Sequence, residues 1–332
     1  MTVLIAIMML SSVFARTVDL SVPIVSESDV LLHAHRQDEQ IRAGHRDQTI
    51  KEYRDMHRSH PDSGYHTYLY ARVCSNSTLK IQLLKEAVDQ TPKLFHGRRD
   101  LARVFYSTGD YRGTIEQLTA ALQTHPTSVQ ALYLRGLAYY HHGEVTEAIG
   151  DFRSAVSSDP DHLSSYEELS VALLHGGQSE DAVSVMNRML ERFGEAENRH
   201  QTYRNLGIAY ARLGKMDESR LAYYRAVRER PDYFEGFISL GKAWYADDDL
   251  AKAALYFEKA TTLHPGSAPA LLQLGIVRFE QDRLDAARSL IRRALDLDST
   301  LVGAHLYLSK VYREKGDYQR ANDHLRRHHT SR

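Results

Sequence analysis

Apolar and polar positions alternate along this chain with a helical period. In residues 109–126, GDYRGTIEQLTAALQTHP, the apolar Ile115, Leu118, Ala121 and Leu122 recur at three- and four-residue spacing. That spacing predicts a helix with one apolar stripe, entered through a Gly-Asp turn and closed by Pro126. The chain repeats the pattern as GEVTEAIGDFRSAVSSDP at 143–160, GKMDESRLAYYRAVRERP at 214–231 and DDLAKAALYFEKATTLHP at 248–265. A second helical stretch lies between successive copies, so each copy reads as half of a helix hairpin.

The spacing is regular. Gly109, Gly143, Gly177, Gly214, Asp248, Asp282 and Gly316 hold equivalent places, with steps of 34, 34, 37, 34, 34 and 34 residues. A fixed period of this size marks a stacked repeat protein. Carried backwards, the frame puts Ala87 and Pro92 in an earlier unit, and Gly44, Tyr53 and Pro61 in a degenerate one before it. Eight to nine units result, at approximately 30–63, 64–94, 95–128, 129–162, 163–196, 200–233, 234–267, 268–301 and 302–332. Where Phe193-Gly194 stands in place of the expected proline, the longer step predicts an extended helix end or a loosened joint near Glu195.

Physical needs account for the recurring residue types. Small residues stand where two helices must approach closely, and aromatic residues fill the space that a small partner leaves. Glycine or aspartate in the short turn adopts the backbone that stops a helix, and proline after the second helix cannot continue it. One hairpin cannot cover its own stripe, so each unit leans on its neighbours.

The unit at 200–233 carries Leu206, Gly207, Tyr210, Tyr223, Ala226 and Pro231, with Ser219 where an alanine is usual. The unit at 234–267 carries Leu240, Gly241, Trp244, Ala253, Phe257, Ala260 and Pro265, and that at 129–162 carries Gly136, Tyr139, Gly143, Ala148, Phe152, Ala155 and Pro160. In this pattern the chain, from about Asp29 onward, resembles the tetratricopeptide repeat family. The resemblance implies an all-α fold: a right-handed superhelical solenoid of antiparallel helix hairpins. It also implies that positions 2, 5, 9, 12 and 13 of each first helix line a concave groove.

On this chain those positions are Arg99, Arg103 and Tyr106, then Tyr133, Leu137, Tyr140 and His141, then Glu167 and His175. They continue as Arg204, Ile208 and Arg212, then Ile238, Lys242 and Tyr245, and then Leu272, Ile276 and Phe279. Apolar and aromatic residues interleaved with cations suit a protein or peptide ligand bearing apolar anchors and acidic groups. A homo-oligomer partner or an intramolecular contact is the other use of such side chains. The carboxylate clamp of some family members is absent in this register, because Arg99 and Arg103 are followed by Tyr133 and Leu137. The expected function is a noncatalytic scaffold or adaptor. The alternative is a substrate-docking or regulatory subunit of an enzyme or envelope-assembly complex.

Charge adds little. Lysine and arginine number 42 against 43 aspartates and glutamates, so no global field draws the chain to nucleic acid. The glycines fall at repeat positions rather than in phosphate loops, and no catalytic constellation or cofactor site is expected. His324 and His328 lie four apart without a third ligand, His141 and His142 flank a turn, and Asp247, Asp248 and Asp249 read as an acidic cap; no metal is expected. Cys74, the only cysteine, suits a packed position near the end of a first helix. Asn76-Ser77-Thr78 forms a glycosylation sequon in the following turn. The polar RRHHTSR end suits a cap facing water.

The first residues require separate treatment. Val3 to Leu10 are apolar, too short a run to span a bilayer, and Val13-Phe14-Ala15 resembles a signal cleavage site. Residues 1–15 read as a signal peptide, with 16–29 a flexible leader and 30–332 the repeat array. The expected location is extracytoplasmic, a periplasm or ER lumen, with the cytoplasm as alternative. N-terminal sequencing of protein from its source is expected to begin at Arg16; an intact Met1 would overturn the cleavage.

Overall fold

A computed structural model describes residues 24–194 and 197–330. All regular structure among them is helical, and the chain divides into two units after Ser165. The first unit contains α1 (Glu27–Arg42), α2 (Arg46–Ser59), α3 (Gly64–Val73), α4 (Ser77–Gln90), α5 (Phe95–Ser107), α6 (Tyr111–Thr124), α7 (Val129–His142) and α8 (Val145–Ser158). Helix α9 (Leu163–His175) begins at the boundary. The second unit continues with α10 (Ser179–Arg192), α11 (Arg199–Arg212), α12 (Met216–Glu229), α13 (Phe234–Ala246), α14 (Leu250–Leu263), α15 (Ala268–Glu280), α16 (Leu284–Leu297), α17 (Val302–Glu314) and α18 (Tyr318–Thr330). Two helices fall in each segment that the period marks out.

Turn chemistry explains where these helices stop. Gly44, Gly109, Gly143, Gly177, Gly214 and Gly316 all have positive φ, between 73° and 91°. The two aspartates of the same column, Asp248 and Asp282, adopt φ of 60° and 58°. Asp and Asn tolerate this left-handed backbone better than other side chains, so the frame keeps its turn without glycine. The second helices end on extended residues ahead of proline, as at Thr91 (ψ 84°), His125 (ψ 71°) and Arg230 (ψ 96°). A residue before proline is driven out of the helical region, which makes this end obligatory.

Within each unit, consecutive helices form hairpins: α5 with α6 and α7 with α8 in the first, α11 with α12, α13 with α14, α15 with α16 and α17 with α18 in the second. A glycine facing a large side chain sets the spacing inside a hairpin. A Cβ on Gly136 would lie 2.7 Å from the Phe152 ring, and one on Gly241 would lie 2.6 Å from Phe257. Gly207 meets Tyr223 in the same way, and Gly275 meets Ile291 at 2.6 Å. The alanine column Ala87, Ala155, Ala226, Ala260 and Ala294 is fully buried, letting the second helix of one hairpin approach the next. Ser219 fits the alanine position because its hydroxyl donates to the Gly207 carbonyl at 2.7 Å. A buried hydroxyl with that bond avoids the cost of an unmet donor.

Several sequence expectations need correction or lie elsewhere. The flexible leader does not reach Asp29: Ile24 is buried in the first-unit core, and Ser26 with Asp29 forms a capping box on α1. Cleavage after Ala15 and the expected joint at Glu195 lie outside the described residues. At the other end, Arg326, Arg327 and His329 are exposed as a water-facing cap requires, but His328 is buried.

Two glycine substitutions separate propensity from packing. Gly150 is a helical glycine with open space around its Cβ position, so Gly150→Ala is expected to stabilise by about 0.5–1 kcal/mol. Gly241→Ala forces an atom into the Phe257 ring and is expected to destabilise by about 1–3 kcal/mol. Urea midpoints read both; stabilisation by Gly241→Ala would remove the close-approach account.

Candidate functional site

The first helices present the side chains singled out by the frame, and the structure sorts them into three environments. In the first unit, α5 brings Arg99 and Arg103 onto one carboxylate. Arg99 donates to Asp100 Oδ1 at 3.0 Å, Arg103 approaches it at 3.8 Å, and the buried Tyr68 hydroxyl donates to Oδ2 at 2.8 Å. Burial, reinforced by the Asp100 charge, pushes the Tyr68 phenol well above its ordinary pKa and keeps it a donor. Two guanidinium groups share one anion, leaving surplus positive charge on Arg103, whose side chain is 54% exposed against 17% for Arg99.

Aromatic rings gather beyond these cations. Tyr106 lies 5.7 Å from Tyr111 and 6.0 Å from His141, His141 stacks on Tyr111 at 5.2 Å, and Tyr140 meets His141 edge-on at 5.8 Å. The frame named three of these four; Tyr111 belongs to a second helix and was missed. Tyr133 and Leu137 are half-buried. Tyr133 packs between hairpins, 5.3 Å from His162 and 6.0 Å from Phe152.

In the second unit two of the frame residues are drawn further inward. Leu272 and Ile276 are 7% and 8% exposed and belong to a core with Leu308, Val311 and Tyr312, so they line no open groove. The physical reason is local: α17 covers them, with Gly303 so placed that a Cβ would lie 3.6 Å from Leu272. Ile208 and Ile238 are half-buried against the core around Leu240. Arg204 lies against Tyr223 and Tyr233, with its Nε buried and without a hydrogen-bond partner, and Arg212 donates to the Leu174 carbonyl. Lys242 is exposed. Tyr245 and Phe279 are half-buried beside Tyr307, which meets Phe279 edge-on at 6.0 Å. Burial and the neighbouring Tyr307 raise the Tyr245 phenol above its ordinary value. Glu167 accepts from Asn198 at 3.5 Å, and His175 is exposed.

Residues considered for other chemistry have structural settings. Among the described residues no group of three or more potential metal ligands converges. His324 faces His305, with 3.0 Å between their Nδ1 atoms, rather than His328. His142 pairs with Glu144 at 2.8 Å. Asp249 caps α14 through the Lys252 amide at 2.9 Å, Asp248 makes the left-handed turn, and Asp247 pairs with Arg220 at 2.9 Å. Cys74 packs half-buried against the first-unit core. Asn76 is exposed and caps α4 by accepting from the Leu79 amide at 2.9 Å through Oδ1. No described helix is long and apolar enough to cross a membrane.

Helix hairpins repeating every 34 residues, with glycine facing a ring inside them and alanine between them, define a stacked helix-hairpin repeat protein. Sequence profiles of the tetratricopeptide repeat match at 99–162, 147–198, 172–234, 204–268 and 245–300. The chain belongs to the tetratricopeptide repeat family.

Individual likenesses are distant. A Bos taurus protein named BBSome complex member BBS4 is 23% identical over 220 residues, 66% of this chain and 41% of that one. An Eremothecium gossypii peroxisomal targeting signal receptor is 23% identical over 210 residues, 62% of this chain and 36% of that one. The chain thus spans less than half the length of these curated relatives. The solved C-terminal part of a repeat-containing protein from Cytophaga hutchinsonii shares the fold, with a TM-score of 0.57 at 16% identity over 68% of this chain and 92% of that one.

Burial separates the frame residues by what their removal does. Ile276→Ala is expected to cost about 2–5 kcal/mol of stability through a core cavity, whereas Arg103→Ala is expected to stay within about 0.5 kcal/mol. Urea unfolding of both variants checks this, and equal losses would contradict the sorting.

Proposed function

We propose that the chain is a noncatalytic interaction scaffold that captures a protein or peptide along the first helices of each unit. The observation that carries this reading is a recurrence at one repeat position. Position 12 holds Tyr106 and Tyr140 in the first unit and Tyr245 and Phe279 in the second, all half-buried. Aromatic side chains fixed by neighbouring rings offer large contact area at little further entropic cost, as in binding hot spots. Exposed Arg103 and Lys242 favour acidic groups on the ligand. Leu272 and Ile276 contribute by shaping the core beneath rather than by contact.

The names of the relatives agree in kind: one is a receptor for a targeting signal and another is a member of a complex. Membership of a complex also favours a second reading, in which the chain docks substrates or partners for an enzyme that it does not itself supply. Both readings place the work in binding.

The test is affinity capture from the native source followed by mass spectrometry. The full chain is compared with a variant carrying Arg103→Glu, Tyr106→Ala and Tyr140→Ala. At least tenfold lower recovery of one set of proteins is the expected result. A catalytic subunit within that set would select the second reading, and a captured copy of this chain would point to self-association. Unchanged capture would falsify the role of these helices.

A further inference from the structure

The helical repeat builds the same hollow more than once, and one copy has an unusual lining. In the second unit a hollow of about 390 Å³ lies among α10, α11 and α12, lined by Asn187, Tyr203, Leu206, Tyr210, Ala222 and Arg225, with Glu191 and Glu218 at its rim. Another of about 550 Å³ lies among α16, α17 and α18. Its lining stands in register with the first, three units further along. Arg292 replaces Asn187, His305 replaces Tyr203, Arg320 replaces Glu218 and His324 replaces Ala222, while Arg327 matches Arg225 and Asp296 matches Glu191. The fold therefore does not demand Arg292, His305, Arg320 or His324. It accepts neutral and acidic residues at the same places.

Charge is what changes. The first hollow holds one arginine against two glutamates, and the second holds three arginines and two histidines against Asp296. Arg320 also reaches Asp317 at 3.3 Å, but its side chain remains 64% exposed. In the first unit the corresponding arrangement closes on itself: Arg135 forms a two-pronged pair with the buried Asp151 at 2.7 Å, and Asp151 stands where His324 stands. The α16–α18 hollow has an imidazole there instead of a carboxylate. His324 is held by stacking on Tyr312 at 5.5 Å and by its contact with His305. Cationic donors gathered around a polar hollow of this volume match the chemistry of an anion site.

We propose that the hollow between α16, α17 and α18 binds a doubly charged tetrahedral oxyanion, the phosphoryl group of a small phosphorylated molecule or free phosphate. Arg292 of α16 and Arg320 of α18 supply guanidinium donors, and the His305–His324 pair supplies imidazole donors. Groups facing these imidazoles are Arg292 and Asp296 of α16, Tyr312 of α17, and Arg320, Asp323, Arg327 and His328 of α18. Burial first, then the neighbouring cationic and imidazole groups, lowers the affinity of both histidines for protons. The pair is therefore neutral at pH 8, and a bound anion favours its singly protonated form, because the two Nδ1 atoms, 3.0 Å apart, share one hydrogen. Binding takes up protons, so affinity rises as pH falls.

Isothermal titration of the full chain tests this with three probes. Sulfate, whose charge is constant across the range, is expected to bind at least threefold tighter at pH 5.5 than at pH 8. Phosphate and a hexose 6-phosphate, compared at pH 7, separate the sources. Hexose phosphate tighter by tenfold assigns the hollow to an organic phosphate, and equal affinity assigns it to the free anion. Arg292→Gln with Arg320→Gln should weaken all three at least tenfold, as should His324→Gln for sulfate at pH 5.5. Arg225→Gln, in the equivalent hollow, should change none. Binding that survives the double variant with the helical spectrum intact, a flat sulfate profile, or no binding by any probe overturns the proposal.

Discussion

The approach of a first-helix glycine to a second-helix ring sets the geometry on which the rest of each unit depends. Where Gly136 meets Phe152 and Gly241 meets Phe257, the ring lies against backbone, with no room for even a methyl group. That contact fixes the distance between the two helices of a hairpin, and the buried alanine column then fixes how closely the next hairpin follows. Because a hairpin leaves half its apolar stripe uncovered, the same contact is required again one unit later. The repetition of the sequence is a consequence of that unmet stripe.

Once spacing and rotation are fixed, every other position acquires a constant address. Position 12 of the first helices carries an aromatic residue in four repeats, Tyr106, Tyr140, Tyr245 and Phe279. The equivalent position on the second helices likewise recurs, closed by an Arg135–Asp151 pair in one copy and lined by cationic and imidazole groups in another. Functional variety in such a fold comes from what occupies an address, since the scaffold tolerates glutamate, arginine, alanine and histidine at equivalent points. This is why packing residues read as family and lining residues read as individuality.

Most of the fold was legible in the chain because its signals are local. Helical periodicity, turn glycines and the prolines after most second helices mark where helices stop. Even departures followed local rules: Asp248 and Asp282 take the glycine turn, and Ser219 resolves its hydroxyl on a carbonyl one turn of hairpin away. The candidate site was less legible. Ile276 carries the same frame position as the exposed Arg103 and Lys242, but α17 closes over it and over Leu272. Asp100 attracted no notice beside two arginines, and Tyr111 lay on the wrong helix, yet both shape the surface that the frame identified. The cationic hollow drew its parts from three helices spread over residues 292–327, with no motif in the sequence to join them.

By itself, the sequence determined the helices, their pairing into hairpins and the family to which they belong. Each of those is settled by contacts between residues close in the chain, which a fixed period makes visible. Tertiary structure alone decided which frame residues remain at the surface, which charges are already answered, and where separate helices bring imidazoles and guanidinium groups to one hollow. Those outcomes depend on how a neighbouring unit covers or leaves open a given side chain, and that covering varies while the period stays constant.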